Sequence, residues 1–214
     1  MIAERHAAVV CQAAAVLLQY PDETVRDRVP LVADAVPALP PGAARSALTR
    51  FLDHFAAAPP RDLAEHYVAT FDRRRRCCLH LTWWTDGETR RRGGSLAALK
   101  DRYRRHGLEL GDGELPDYLP VVLEYAATGD LADGLALLQE HRAGVELLRL
   151  ALRDAGSPYT AVVEAVCALL PGPSPQDRAA ARRLARTGPP QETVGVEPFG
   201  LEPFGSAPAG GVRR

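Results

Sequence analysis

Apolar residues recur every three or four positions along nearly the whole chain, and that period admits helices and little else. Val9, Ala13, Val16, Leu17 and Tyr20 share one face. Val25, Val29, Val32 and Val36 share the next, until Pro37 stops the pattern. Ala44, Leu48, Phe51, Leu52 and Phe55 follow, closed by Pro59-Pro60, and Leu63, Tyr67 and Phe71 make a shorter stripe. A helix from about Glu88 runs through Leu96, Leu99 and Tyr103 to Gly107, a residue suited to a left-handed C-terminal cap. Pro116 reads as a first-turn proline with Asp117 as an acid at the positive helix end, and Leu119, Val122, Leu123 and Ala126 as the buried side. Leu131, Leu135, Leu138, Val145, Leu148 and Leu152 form one long stripe from the cap Asp130 to Gly156. Tyr159, Val162, Val163, Val166, Leu169 and Leu170 line another, and Ser174-Pro175-Gln176-Asp177 opens a last, arginine-rich helix. The expected fold is all-α. It is a single-domain bundle of about nine to ten helices over residues 1–187, with a Pro/Gly-rich disordered tail over 188–214. The tail carries a tandem repeat, Glu197-Pro198-Phe199-Gly200 and Glu202-Pro203-Phe204-Gly205, read either as a solvated end or as two adhesive points.

A formal net charge of -1 over 214 residues names no partner. Its distribution is uneven: between Arg73 and Arg105 there are eleven basic residues against three acids, a directional field and a possible docking face. The cysteines Cys11, Cys77, Cys78 and Cys167 lack C-x-x-C spacing and read as small buried residues of a reducing compartment. No stretch is long and apolar enough to span a bilayer. Ala7 to Leu18 is interrupted by Gln12, follows Glu4 and Arg5, and lacks a small-residue cleavage site, so it reads as the first helix of a cytoplasmic protein.

Catalytic patterns are missing. There is no P-loop, no dinucleotide-binding glycine motif, no H-E-x-x-H and no G-x-S-x-G, and the six histidines read as surface or structural groups. The expectation is a protein that is not an enzyme and holds no metal and no permanent cofactor.

Two segments carry the functional signal. The first is Tyr67-Val68-Ala69-Thr70-Phe71-Asp72, an arginine run, and then Leu79 to Gly93, with Trp83 and Trp84 beside a turn and Arg90, Arg91 and Arg92 after it. Aromatic area next to directional cations suits protein docking. Core plugs and a solvated helix start are the structural alternative, although three cations at a positive helix end call for compensation. The second segment is Glu114-Leu115-Pro116-Asp117-Tyr118 followed by Leu119-Pro120-Val121-Val122-Leu123-Glu124-Tyr125.

Together these segments resemble the nitrate reductase delta subunit, the NarJ-type molybdenum cofactor assembly chaperones within the broader TorD-like family. Leu17 to Asp22 and the Gly-Leu-Glu-Pro-Phe-Gly of the tail fit the same pattern. The resemblance implies a chaperone that binds the N-terminal segment of the apo catalytic (alpha) subunit of a respiratory nitrate reductase. It would hold that subunit open for insertion of the molybdenum cofactor (molybdopterin guanine dinucleotide) and an iron–sulfur cluster, and delay membrane docking. Molybdenum cofactor biosynthesis proteins are further implied partners; nucleic acid and stable membrane insertion are not. Trp83, Trp84, Arg90, Arg91, Arg92, Glu114, Pro116, Asp117 and Tyr118 are the expected partner-binding residues. By the same resemblance, Tyr118 stands where histidine is usual, and a tyrosine does not titrate near neutral pH. The alternative reading is a helical nucleic-acid module using the basic segment 73–105.

Overall fold

The computed structural model describes residues 2–111 and 113–185. The tail expected over 188–214 lies outside the described residues, as does the end of the proposed domain at 187. Among those described there are eleven α-helices and no strand, in agreement with the all-α expectation.

The first part of the chain forms α1 (Ile2–Leu17), α2 (Glu23–Ala35), α3 (Ala43–Ala57) and the shorter α4 (Pro60–Tyr67). Then come α5 (Leu81–Asp86) and α6 (Arg91–Arg105). The last five are α7 (Leu119–Glu124), α8 (Leu131–Glu140), α9 (Arg142–Asp154), α10 (Tyr159–Cys167) and α11 (Arg178–Ala185). Helices α4 and α7 each run on into one wide π turn, Val68–Asp72 and Tyr125–Gly129. The starts follow simple chemistry. Asp22, Asp130 and Asp177 each accept a backbone N–H from the first turn of the helix they open, at 2.8, 3.0 and 2.7 Å.

Helix α1 lies at the centre, against α2, α7, α8, α10 and the second π turn. Its alanines Ala13, Ala14 and Ala15 are all buried, and side chains this small let neighbouring backbones come close. The same economy operates at Gly134 of α8. A methyl there would sit 2.5 Å from the Ala126 Cα, so only glycine fits.

Three expectations are corrected. The stripe from Leu131 to Leu152 is two helices, broken at His141, not one. Helix α6 starts at Arg91 and not near Glu88, because Gly87 ends α5 with φ +60°. Tyr20 lies beyond α1 and is exposed, its ring edge-on to Tyr67.

Helix α9 explains its own break. One side carries Val145, Leu148 and Leu152 into the core. The other carries Arg142, Arg149 and Arg153, which donate to the carbonyls of the segment leading to α11. Arg142 reaches Pro171, Gly172 at 2.8 Å and Pro173 at 3.0 Å; Arg149 reaches Pro175; Arg153 reaches Gln176 at 3.0 Å. Glu146 is fully buried between them and accepts from Arg149 Nε at 2.7 Å. A buried ion pair is stable only where added hydrogen bonds offset desolvation; here the guanidinium–carbonyl bonds do so, while Glu146 Oε1 and Arg142 Nε have no hydrogen-bond partner among the described residues.

Candidate partner-binding site

The two signature segments, distant in sequence, meet through their backbones. The Leu81 N–H donates to the Asp117 carbonyl at 2.8 Å and the Leu119 N–H to the Leu79 carbonyl at 2.8 Å. This is a lone antiparallel bridge between His80 and Tyr118, the residues that precede α5 and α7. It pins two helix starts side by side.

Beneath the bridge sits the Asp117 carboxylate, which has no solvent exposure. One oxygen receives the Thr82 backbone N–H at 3.2 Å, the Thr82 hydroxyl, and Arg92 Nη2 at 3.4 Å. The other lies 3.1 Å from His80 Nδ1. Arg92 Nε also donates to the Thr82 hydroxyl oxygen, at 3.1 Å. Burial alone pushes this carboxyl up. The hydrogen bonds from His80 and Thr82 and the charge of Arg92 outweigh it, and the group is held below the usual carboxylate range.

Asp117 and Pro116 therefore do not open a helix, as the sequence suggested. Helix α7 begins at Leu119, with Pro120 in its first turn, and Asp117 makes no cap bond. The Pro116 carbonyl instead accepts the Tyr103 hydroxyl at 2.7 Å, which ties α6 to the same segment. The three cations at the start of α6 are also explained. Arg90 points to solvent, Arg91 is half-buried, and Arg92 turns inward to the buried acid.

The tryptophans divide. Trp84 donates its indole N–H to the Cys78 carbonyl at 3.0 Å and packs against the core. It presses on Gly144 of α9, where a methyl would sit 2.7 Å from its Cβ. Trp83 stands edge-on to Trp84, with centroids 4.9 Å apart, and lies outside the core cluster. Glu114 and Leu115 are exposed. The Tyr118 hydroxyl lies 3.1 Å from that of Tyr67, which donates to the Leu18 carbonyl at 3.1 Å. Burial pushes the Tyr118 phenol up. Thus Trp83, Arg90, Arg91 and Glu114 can face a partner. Pro116 and Asp117 cannot; they hold the platform.

Sequence reasoning missed His80 and Thr82, although both lie within the first signature. It also missed an open trough of about 440 Å³ between α1 and α2, lined by Val9, Ala13, Val16, Leu31, Val32 and Ala35, with Arg28 and Glu124 supplying one charge of each sign. Gln12 lines the same trough, and its side-chain oxygen is buried without a hydrogen-bond donor among the described residues. Leu31 is 71 % exposed. The sequence signal was a leucine off the valine stripe of α2.

The basic segment is less free than its composition implied. Arg75 pairs with Glu88, Arg92 with Asp117, Arg104 with Asp101, and Arg102 forks onto Asp133 while also reaching Glu140. Among the described residues no helix is long and apolar enough to cross a membrane, and no three of His, Cys, Asp or Glu gather where they could hold a metal.

The fold and the site define an all-helical scaffold whose two signature segments are locked around a buried carboxylate, with an open apolar trough on its surface. Comparison with known proteins places it further. The profile of the family described as nitrate reductase delta subunit matches residues 37–164, and the chain belongs to that family. The chain is 32% identical over 154 residues to the probable nitrate reductase molybdenum cofactor assembly chaperone NarJ of Bacillus subtilis, covering 72% of this chain and 84% of that one. It is 33% identical over 151 residues to the nitrate reductase molybdenum cofactor assembly chaperone NarJ of Escherichia coli K12, covering 69% and 64%. It is 42% identical over 159 residues to the nitrate reductase-like protein NarX of Mycobacterium tuberculosis, covering 74% of this chain but only 24% of that longer one.

Proposed function

We propose that the chain is an assembly chaperone of a respiratory nitrate reductase. It binds the N-terminal segment of the apo catalytic (alpha) subunit in the cytoplasm and keeps that subunit open for molybdenum cofactor insertion before membrane docking. The cofactor is cargo for the partner, and this chain supplies binding and timing, not turnover. Family membership and the named chaperone relatives support the reading.

The observation that carries it is the α1–α2 trough. An amphipathic segment would lay its apolar face on Val16, Leu31 and Val32 and set its register against Arg28 and Glu124. Trp83, Arg90, Arg91 and Glu114 form a second, polar contact. Trp84, Arg92, Pro116, Asp117 and Tyr118 hold that contact in place from beneath. The mixture of apolar and rim-exposed polar contacts suits a partner that must later leave.

The test is calorimetry with a synthetic peptide of the catalytic subunit's N-terminus. Binding in the micromolar range is expected, and Leu31→Asp weakens it by about tenfold or more, since burying a leucine is worth roughly 1.5–3 kcal/mol. Leu31 is so exposed that the substitution leaves the fold intact by circular dichroism. No heat at tens of micromolar peptide, or equal affinity for the variant, overturns the proposal.

A further inference from the structure

The rung that joins the two signature segments has an inner and an outer side. Leu79 and Leu81 flank His80, Asp117 and Leu119 flank Tyr118, and all four flanking residues are buried. Side chains alternate along extended backbone, and directly opposed residues share a face, so His80 and Tyr118 stand together on the outer side. The bonds of the rung run through their neighbours, Leu81 to Asp117 and Leu119 to Leu79, and a pair framed in this way brings its side chains closest. The two ring centroids lie 5.4 Å apart.

His80 is oriented from behind. Asp117 is held below the usual carboxylate range, so near neutral pH it is ionised and can only accept. The hydrogen of the 3.1 Å contact therefore sits on His80 Nδ1. In a neutral ring this leaves Nε2 as an acceptor. Nε2 makes no hydrogen bond among the described residues and is in contact with solvent; the side chain is 31% exposed. A carboxylate behind an imidazole fixes its tautomer and strengthens the free nitrogen as an acceptor. The surroundings favour a cationic donor. The Tyr118 ring offers a π face beside the imidazole. After burial, the negative charge of Asp72 is the other influence that pushes the Tyr118 phenol up, which sets that exposed carboxylate near the ring. The Asp72 side chain makes no hydrogen bond or ion pair among the described residues, and Arg92 is committed to Asp117 and Thr82.

We infer that His80 is a partner-binding residue, and that its Nε2 accepts an N–H from a basic side chain of the bound client segment, laid against the Tyr118 ring. The inference rests on the chaperone reading and adds a named contact to its polar surface. His80 selects a lysine or arginine of the client, whereas Arg90 and Arg91 beside it select acids.

The experiment is calorimetry on the full chain at about pH 8, above the ordinary range of an imidazole. The ligands are the synthetic peptide of the catalytic subunit's N-terminus and a set in which each lysine and arginine is replaced in turn by norleucine. His80→Asn is the variant, because its amide nitrogen takes the place of Nδ1 and keeps a donor on Asp117 while nothing remains at Nε2. The variant should bind the peptide about tenfold or more weakly, as the loss of a hydrogen bond to a charged group implies, with its urea midpoint unchanged. One norleucine peptide should show the same loss on the wild type and no further loss on His80→Asn, and its position tells a lysine from an arginine. Equal affinity of His80→Asn and wild type, with Leu31→Asp still weakening the complex, overturns this inference and leaves the chaperone reading standing. No heat with the wild type overturns both. A loss in His80→Asn that adds to that of every norleucine peptide overturns the basic side chain as the occupant. Imidazole nitrogen NMR of the wild type gives a reading independent of the variant's folding: a His80 Nε2 resonance that moves with peptide while Nδ1 stays supports the contact, and an unmoved Nε2 overturns it.

Discussion

Replacing Asp117 tests the physical centre of the site, because every group it touches responds differently to the alanine and asparagine variants. In Asp117→Ala the fully buried Thr82 N–H and hydroxyl lose their acceptor, and the partly exposed His80 and Arg92 lose their buried partner. Removing one partner of such a buried set costs about 3–5 kcal/mol. In Asp117→Asn the amide oxygen can still accept both Thr82 donors, and His80 can change tautomer to accept from the amide nitrogen. What remains lost is the charge assistance and the Arg92 attraction, about 1.5–3 kcal/mol. Against a total stability on the order of 5–15 kcal/mol, both are large. Urea unfolding at pH 7 followed by tryptophan fluorescence is the assay. With a slope of about 2 kcal/mol per molar, the midpoint falls by about 2 M for alanine and about 1 M for asparagine. The pH dependence has a definite sign. The folded carboxyl is held down, so its contribution is complete above the unfolded value near 3.9 and disappears as pH falls through the lower folded value. The gap between wild type and Asp117→Asn therefore closes in acid. An alanine variant that loses less than about 1 kcal/mol, or an asparagine variant equal to it, refutes the account of a charge-assisted hub.

Other substitutions separate neighbouring claims. Asp133 is fixed by the Arg102 fork, with burial opposing and the Tyr125 hydroxyl adding to it, and its carboxyl is lowered to about 2. Carboxyl NMR titration should find that midpoint, and Arg102→Met should return it towards 3.9. The stability this group contributes is present above about 3.9 and fades as pH falls towards 2. Tyr67→Phe should cost about 1–3 kcal/mol by chemical denaturation because the Leu18 carbonyl loses its donor, whereas Tyr118→Phe leaves that bond intact and should cost about 1 kcal/mol or less. Equal costs would contradict the assigned direction of the hydrogen bonds. Gly134→Ala forces a methyl onto the Ala126 backbone and should destabilise by about 2 kcal/mol despite the better helix propensity of alanine. A neutral or stabilising result in a thermal melt would mean that α8 is free to move away.

The bundle was readable because burial on one side of a helix leaves a periodic trace. Val25, Val32 and Val36 are buried as their spacing implied, and Leu131 to Leu152 showed the right face even though two helices carry it. The break at His141 left no mark, since it serves tertiary needs. Gly144 must meet Trp84, and Arg142 must reach the carbonyls beyond α10. The buried hub was half legible. Asp117 and Arg92 stood out by type, but a hydrogen bond between residues this far apart in sequence has no period, so Asp117 read as a helix cap. His80 and Thr82 looked ordinary for the same reason. The trough shows itself only as a leucine on the wrong side of α2.

The lone bridge between His80 and Tyr118 has one further consequence. Everything between these residues, including α6, departs from and returns to a single backbone rung, like a pendant on a clasp. Its anchors include Leu81, Trp84, Leu99, Arg102 and Tyr103, with Leu108 and Leu110 resting on the core, while Gly111, Gly113 and Glu114 at the tip are exposed. Doubling a flexible loop adds only about 0.6 kcal/mol of closure entropy. An epitope or small reporter spliced into that tip therefore leaves the clasp shut and the rest of the molecule in register.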